Sequence, residues 1–347
     1  MTLAERLAKN IQAELTPMVW GPPGSGKTAV AFSLEKVLNR KVIYIPIGGK
    51  QPEDIAGYLI NDEQSTSLQL KWPWWVEMAF DLKDAIVVFD EYGSAAPETQ
   101  AVSLSIIQER RIGKYTFPEG TSMMGMGNPP HQAAGGHVMS APMASRFIHI
   151  YHEANAKEWA EGALTRWGKG HKNTELAQAY ASVASFINVR PNLILQVPDE
   201  AEDAAGAWPN YRTWEAVAKS LPYFGPDEEQ VIGCVGKGAA KEFLVWYKEQ
   251  DLPNPETVLQ QAASFPLPKV QDKFQAVMSS LTALVSVEPK KYWHNLWVYY
   301  ERALNEKPNL TYPFTRKLVE IGESANLNVP PATLKLINSM QKDAKIL

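Results

Sequence analysis

The octapeptide Gly21-Pro22-Pro23-Gly24-Ser25-Gly26-Lys27-Thr28 constrains this chain more than any other stretch. It has the spacing G-x-x-x-x-G-K-[ST], that of a loop built to wrap phosphate groups. Glycines let the backbone turn so that successive N–H groups face phosphate oxygens, where side chains would collide. Lys27 offers a point charge to the β- and γ-phosphates, and Thr28 a hydroxyl ligand for Mg²⁺. The flanks agree with that reading. Met18-Val19-Trp20 is a short apolar strand leading in, and Ala29–Leu38 reads as a helix whose N-terminus attracts anions. A glycine- and proline-rich turn matching by accident would carry neither flank. Residues Gly21 to Thr28, with Ala29 behind them, are therefore expected to hold a nucleoside triphosphate and its Mg²⁺.

Residues 16–151 alternate short apolar strands with helical stretches, the pattern of a parallel sheet covered by helices. Strands are expected at Pro17–Trp20, Val42–Pro46, Ala85–Phe89, Ser122–Met126 and Phe147–Tyr151. The run Ile86-Val87-Val88-Phe89 is apolar throughout, as befits a central strand buried on both faces. Asp90 and Glu91 follow it directly, at the edge where open parallel sheets bind ligands. Asp90 can help to hold Mg²⁺, and Glu91 is placed to polarise a water attacking the γ-phosphate. The next strand ends in Asn128-Pro129-Pro130, which sets a polar amide between the Asp-Glu strand and the γ-phosphate. An ordinary Asn-Pro turn accounts for the same residues.

From Glu153 the strands give way to helical candidates: Lys157–Trp167, Thr174–Phe186, Thr213–Ser220, Glu228–Gly233 and Ala239–Glu249. Gly233 to Gly238 reads as a turn between helices, because it lacks both a Gly-Lys-Thr/Ser ending and a leading strand. The segment Asp251-Leu-Pro-Asn-Pro255 marks an expected border. Helices are expected beyond it at Glu256–Ala263, Gln271–Val285, Lys291–Leu304, Phe314–Ala325 and Ala332–Lys345. A chain of 347 residues has room for two or three domains and a sizeable core.

The net charge of -4 argues against a broadly basic nucleic-acid surface. Cys234 is the only cysteine, so no internal disulfide can form and a reducing compartment fits. Thr2-x-x-Glu5 looks like a capping box opening a helix rather than a signal peptide. No apolar run approaches the ~20 residues needed to cross a bilayer. The expectation is a soluble cytoplasmic protein without membrane association. The six histidines show no metal-ligand grouping, and the cluster Trp72-Pro73-Trp74-Trp75 is expected to pack inside the domain.

GPPGSGKT (21–28), VVFDE (87–91), MGNPP (126–130) and PMASRF (142–147), in this order and spacing, resemble the AAA+ ATPases, and more narrowly their MoxR-type branch. The segment 51–57, followed by a polar stretch, looks like that branch's helix-2 insert. The segment 111–120 looks like its β-hairpin before the sensor 1 strand. The resemblance covers residues 16 to about 250. It implies an α/β P-loop AAA+ core with a parallel five-stranded sheet (1–152), a helical lid (153–250) and a helical C-terminal extension (251–347). By the same resemblance Asn128 is sensor 1, Arg146 the arginine finger and Arg212, in Tyr211-Arg212-Thr213-Trp214, the sensor 2 residue. It further implies ATP as substrate and a homo-oligomeric ring, commonly a hexamer. A protein client or a partner bearing a von Willebrand factor A domain is implied as well. Tyr58 and Tyr115 would face the central pore.

Three activities compete on these residues. One is ATP hydrolysis coupled to chaperone-like remodelling of a protein. Another is a nucleic-acid motor, disfavoured by the acidic balance and the lack of a basic, aromatic-interleaved tract. The third is a nucleotide-gated scaffold, disfavoured by Glu91 and Asn128, since a pure binder has no need of a water-polarising acid.

Overall fold

The computed structural model of the chain describes residues 1–61, 68–129, 132, 136–249, 252–331 and 333–335. It divides into two compact units, Met1–Ala154 and Asn155–Leu347. Among the described residues the first unit is built on five parallel strands: β1 (Pro17–Trp20), β2 (Val42–Pro46), β5 (Ile86–Asp90), β8 (Ser122–Gly127) and β9 (Ile148–Tyr151). Two antiparallel pairs supplement them, β3 (Tyr58–Ile60) with β4 (Gln69–Lys71) and β6 (Arg111–Ile112) with β7 (Tyr115–Thr116). The main sheet runs β2-β5-β8-β1-β9. This is the AAA+ P-loop arrangement expected from the sequence.

Register follows from burial. In β5, Val87 and Phe89 enter one core with Trp75 and Tyr92, while Ile86 and Val88 enter another with Leu34 and Met124. A strand covered on both faces has no polar side to expose, hence its unbroken apolar run. Trp20 pairs with Gly127, and Phe89 with Gly125, so the carboxyl ends of β1, β5 and β8 lie side by side. The sheet is flanked by α1 (Leu3–Gln12), α2 (Lys27–Leu38), α3 (Pro52–Ala56), α4 (Trp74–Leu82) and α5 (Pro97–Glu109). The expected capping box opens α1: Glu5 N–H donates to Thr2 Oγ1 at 3.2 Å, and Thr2 N–H to Glu5 Oε2 at 2.9 Å.

Both expected insertions are present as hairpins. Residues 62–67 of the first lie outside the described residues. Tyr58, Leu59, Ile60 and Leu68 on this insert are exposed. A groove of about 700 Å³ runs between the two hairpins, lined in part by Leu59, Leu70, Ile106 and Ile112. Tyr115 does not project from its hairpin as expected. Its ring meets Trp72 edge-on, with centroids 4.7 Å apart, and packs against the core. The tryptophan cluster packs inward only in part. Trp75 is buried, stacked on Phe117 at 5.6 Å, whereas Trp74 is exposed.

The second unit is helical among its described residues. Its helices, continuing from the short α6 (Ala141–Ala144) of the first unit, are α7 (Ala156–Ala163), α8 (Thr174–Val189), α9 (Ala201–Ala204), α10 (Tyr211–Phe224), α11 (Glu228–Glu249), α12 (Pro255–Gln260), α13 (Gln271–Val287), α14 (Pro289–Glu306), α15 (Pro308–Thr311) and α16 (Thr315–Ala325). The turn expected near Gly233–Gly238 is a break at Gly236, whose φ of 76° interrupts α11. The expected border at Asp251–Pro255 does not separate compact units. Helix α13 is buried on nearly all sides, through Phe274, Val277, Met278, Leu281 and Leu284 among others. Such a helix needs neighbours all round. It finds α8 of the expected lid on one flank and α14 on the other. The helix expected at Ala332–Lys345 falls mostly outside the described residues. No helix among the described residues is long and apolar enough to cross a membrane.

Candidate nucleotide site

The loop after β1 turns on two glycines with positive φ, Gly24 at 71° and Gly26 at 87°, a conformation that a side chain would strain. Gly26 is also the residue before α2, so the chain passes directly from a left-handed turn into the helix that carries Lys27 and Thr28. The loop is braced from β9. His152 N–H donates to Trp20 O at 2.7 Å, and His152 Nε2 lies 2.9 Å from Ser25 O. A carbonyl only accepts, so Nε2 carries the proton. Ser25 Oγ is buried with no hydrogen-bond partner among the described residues, an orphaned hydroxyl inside a loop shaped for anionic oxygens.

Lys27 is buried, and its ammonium uses three acceptors: Gly21 O at 2.8 Å, Pro22 O at 2.9 Å and Asn128 Oδ1 at 2.8 Å. Burial pushes the lysine down to about 8, with the charge of Asp90 acting in the opposite direction. A partly desolvated cation gains more from an incoming phosphate than a hydrated one does.

Asp90 is buried and accepts three bonds. Thr28 Oγ1 at 3.2 Å and Tyr44 OH at 2.8 Å reach Oδ2, and the Glu91 N–H reaches Oδ1 at 2.7 Å. Burial, followed by the Asp90 charge, raises the Tyr44 phenol and keeps it a donor. The hydroxyl of Thr28 and the carboxylate of Asp90 form a compact set of hard oxygen donors of the kind Mg²⁺ takes. Glu91, by contrast, is exposed, and its φ of 60° swings the chain away from the strand. Gly48, after β2, makes room for its carboxylate: a Cβ there would stand 2.5 Å from Glu91 Oε2.

The structure thus brings together Lys27, Thr28, Asp90 and Asn128, with Glu91 next in chain and Gly21–Ala29 forming the cradle. Arg146 is exposed after α6, its guanidinium donating to Pro142 O. It is not among the partners of Lys27, Asp90 or Asn128. Arg212 lies exposed in the first turn of α10, in the other unit. Sequence reasoning missed Tyr44, Gly48 and His152. Tyr44 is the one polar side chain in an otherwise apolar strand, a signal that a buried partner awaits it. Nothing local marked the other two. Among the described residues no cluster of His, Cys, Asp and Glu could hold a metal by itself.

Residues 17–147 match the AAA domain of the dynein-related subfamily. They have the AAA+ P-loop fold. The match begins with β1 and ends beside Arg146, spanning every site residue described above except His152 and Arg212. No curated protein matches the chain. Solved structures similar to it include a proline-to-glycine mutant of RuvB from Thermotoga maritima, at 15% identity over 87% of this chain and 85% of that one, TM-score 0.37. Another is a provisionally assigned ATPase from Cytophaga hutchinsonii, at 13% identity over 84% and 78%, TM-score 0.33.

Proposed function

We propose that this AAA+ module hydrolyses ATP and, as a MoxR-type remodelling ATPase, spends the cycle on a protein partner from within a homo-oligomeric ring. The observation that carries the reading is the convergence of Lys27, Thr28, Asp90 and Asn128 on neighbouring strand ends, with Glu91 left open to water beside them. A chain that only bound nucleotide would need the cradle but not the open acid.

In this reading the loop and Lys27 hold the β- and γ-phosphates. Thr28 and Asp90 would hold Mg²⁺, which supplies charge neutralisation at the phosphate oxygens. Glu91 polarises the attacking water, and Asn128 orients it. Arg146 faces the nucleotide of the next protomer, and Arg212 serves as the sensor 2 residue from the helical unit. Two hairpins at the expected places support the MoxR-type assignment. The exposed Tyr58, Leu59, Ile60 and Leu68 offer an apolar contact to an unfolded client, or to a partner bearing a von Willebrand factor A domain.

The test has two parts. Purified protein should release phosphate from ATP in Mg²⁺, without stimulation by single-stranded DNA. Glu91→Gln, held in ATP, should retain a specific protein in pull-downs that Lys27→Ala does not. Stimulation by DNA with no protein captured would favour a nucleic-acid motor.

A further inference from the structure

His149 in β9 and His152 just after it are absorbed by no metal or catalytic role, yet each bonds across to another element at or beside the nucleotide loop. His152 holds Ser25 O, as described. His149 does more. Trp20, the last residue of β1 before the loop, donates its indole N–H to His149 Nδ1 at 2.7 Å, and the two rings stack within 4° of parallel. Nδ1 must therefore be bare, which leaves the proton on Nε2. That nitrogen lies 2.8 Å from Ala144 O, which can only accept. His149 is fixed as the neutral Nε2–H tautomer by its two partners.

Ala144 ends α6 and stands two residues before Arg146. Its carbonyl also accepts from Phe147 N–H at 3.2 Å, and the Phe147 ring is buried against Tyr92 and His149. The backbone on both sides of Arg146 is thus held, on one side by the imidazole and on the other by an aromatic anchor that touches it. The Arg146 side chain remains exposed.

We infer that His149 is a positioning residue: from β9, paired with the strand that enters the nucleotide loop, it holds the Ala144 carbonyl and so fixes the Arg146 segment that one protomer offers to the next. The inference rests on the proposed role of Arg146 in trans. An arginine misplaced by about 1 Å can forfeit roughly 10²-fold in rate, so a bond that fixes its segment has a large effect.

The two bonds of His149 can be cut separately. An Asn at 149 can place an amide oxygen near the Nδ1 position, keeping the bond from Trp20 and losing the one to Ala144. A Gln can reach the Nε2 position, restoring the bond to Ala144 and leaving the indole unpaired. Donor subunits carry Glu91→Gln, with or without His149→Asn or His149→Gln. Each is mixed with Arg146→Ala subunits, so that turnover arises only where an intact Glu91 meets a donor's Arg146. The donor with His149→Asn should support about 10²-fold less turnover than the Glu91→Gln donor, while the donor with His149→Gln stays within about threefold of it. Equal losses in both, tracking equal losses of thermal stability, would overturn the positioning role in favour of a merely structural one, and so would no loss in either.

If even the Glu91→Gln donor restores nothing, the trans role of Arg146 has failed, and hydrogen exchange decides the link itself. Amides of Ser145, Arg146 and Phe147 should exchange faster in His149→Asn and at the wild-type rate in His149→Gln. Unchanged protection in His149→Asn would show that the imidazole does not hold this segment.

Discussion

Lys27 Nζ donates to Asn128 Oδ1 at 2.8 Å, so the cation proposed for phosphate and the amide proposed for the attacking water are bonded to each other across two strand ends. A triphosphate that draws the ammonium onto its own oxygens would release the amide. Asn128→Ala should then leave ATP affinity within about threefold, because Lys27 loses a competitor as well as a support, and should lower turnover by roughly 10²-fold. Calorimetry and steady-state phosphate release on the same preparation check the split. Loss of affinity with turnover per bound ATP unchanged would show that Asn128 only holds the lysine.

The lowered Lys27 fixes how affinity depends on pH. Phosphate oxygens favour the charged lysine, so above about 8 binding must take up a proton, and affinity should fall as pH rises to 9.5. For the free protein the direction is opposite. Between about 8 and 10.5 the unfolded chain holds more protons at this lysine than the folded one does, so this group makes stability rise with pH over that window. Calorimetry in buffers of different ionisation enthalpy reads the uptake directly. Lys27→Arg, which stays charged, should remove it.

Gly48 leaves space for the Glu91 carboxylate, since a Cβ at that position would come within 2.5 Å of Oε2. Gly48→Ala should displace the acid without touching the phosphate cradle. The expected phenotype is ATP affinity within about twofold and turnover reduced by roughly 10- to 100-fold. Equal turnover would mean that Glu91 finds another route to the same water.

The two tyrosines of the insertions should part company. Tyr115 packs edge-on to Trp72, so Tyr115→Ala should cost about 2 kcal/mol in chemical denaturation. Tyr58 is 54% exposed, and Tyr58→Ala should leave stability within about 0.5 kcal/mol. If the insert touches a client, Tyr58→Ala lowers the stimulation of ATPase by that client and spares basal hydrolysis. A stability loss at Tyr58 matching that at Tyr115 would place both in the core.

How far the sequence revealed this site depends on whether each signal was local. The cradle, Asp90, Glu91 and Asn128 each sit at a strand end, where an apolar run stops at a polar residue, and all five strands lie within a residue of their expected bounds. The bond of Tyr44 to Asp90 depends on β2 pairing with β5, and the Trp20–His149 contact joins residues 129 positions apart. Tyr44 stands out within β2, but which residue it meets, like the partner of His149, has no pattern within a window of sequence. Tyr115 was misplaced for a related reason. A short hairpin exposes its turn, but which strand residue turns back onto Trp72 is set by register. The helical unit was legible element by element, while its packing was not, because the all-round burial of α13 shows only when α8 and α14 are both in place.

Glu91 carries the central claim, that this cradle hydrolyses what it binds. The most direct measurement pairs equilibrium ATP binding with phosphate release in Glu91→Gln and wild type, both in Mg²⁺. Unchanged affinity with turnover lowered by at least ~100-fold is the expected result. Wild-type turnover in Glu91→Gln would contradict it and leave Glu91 as no more than the solvated end of a strand.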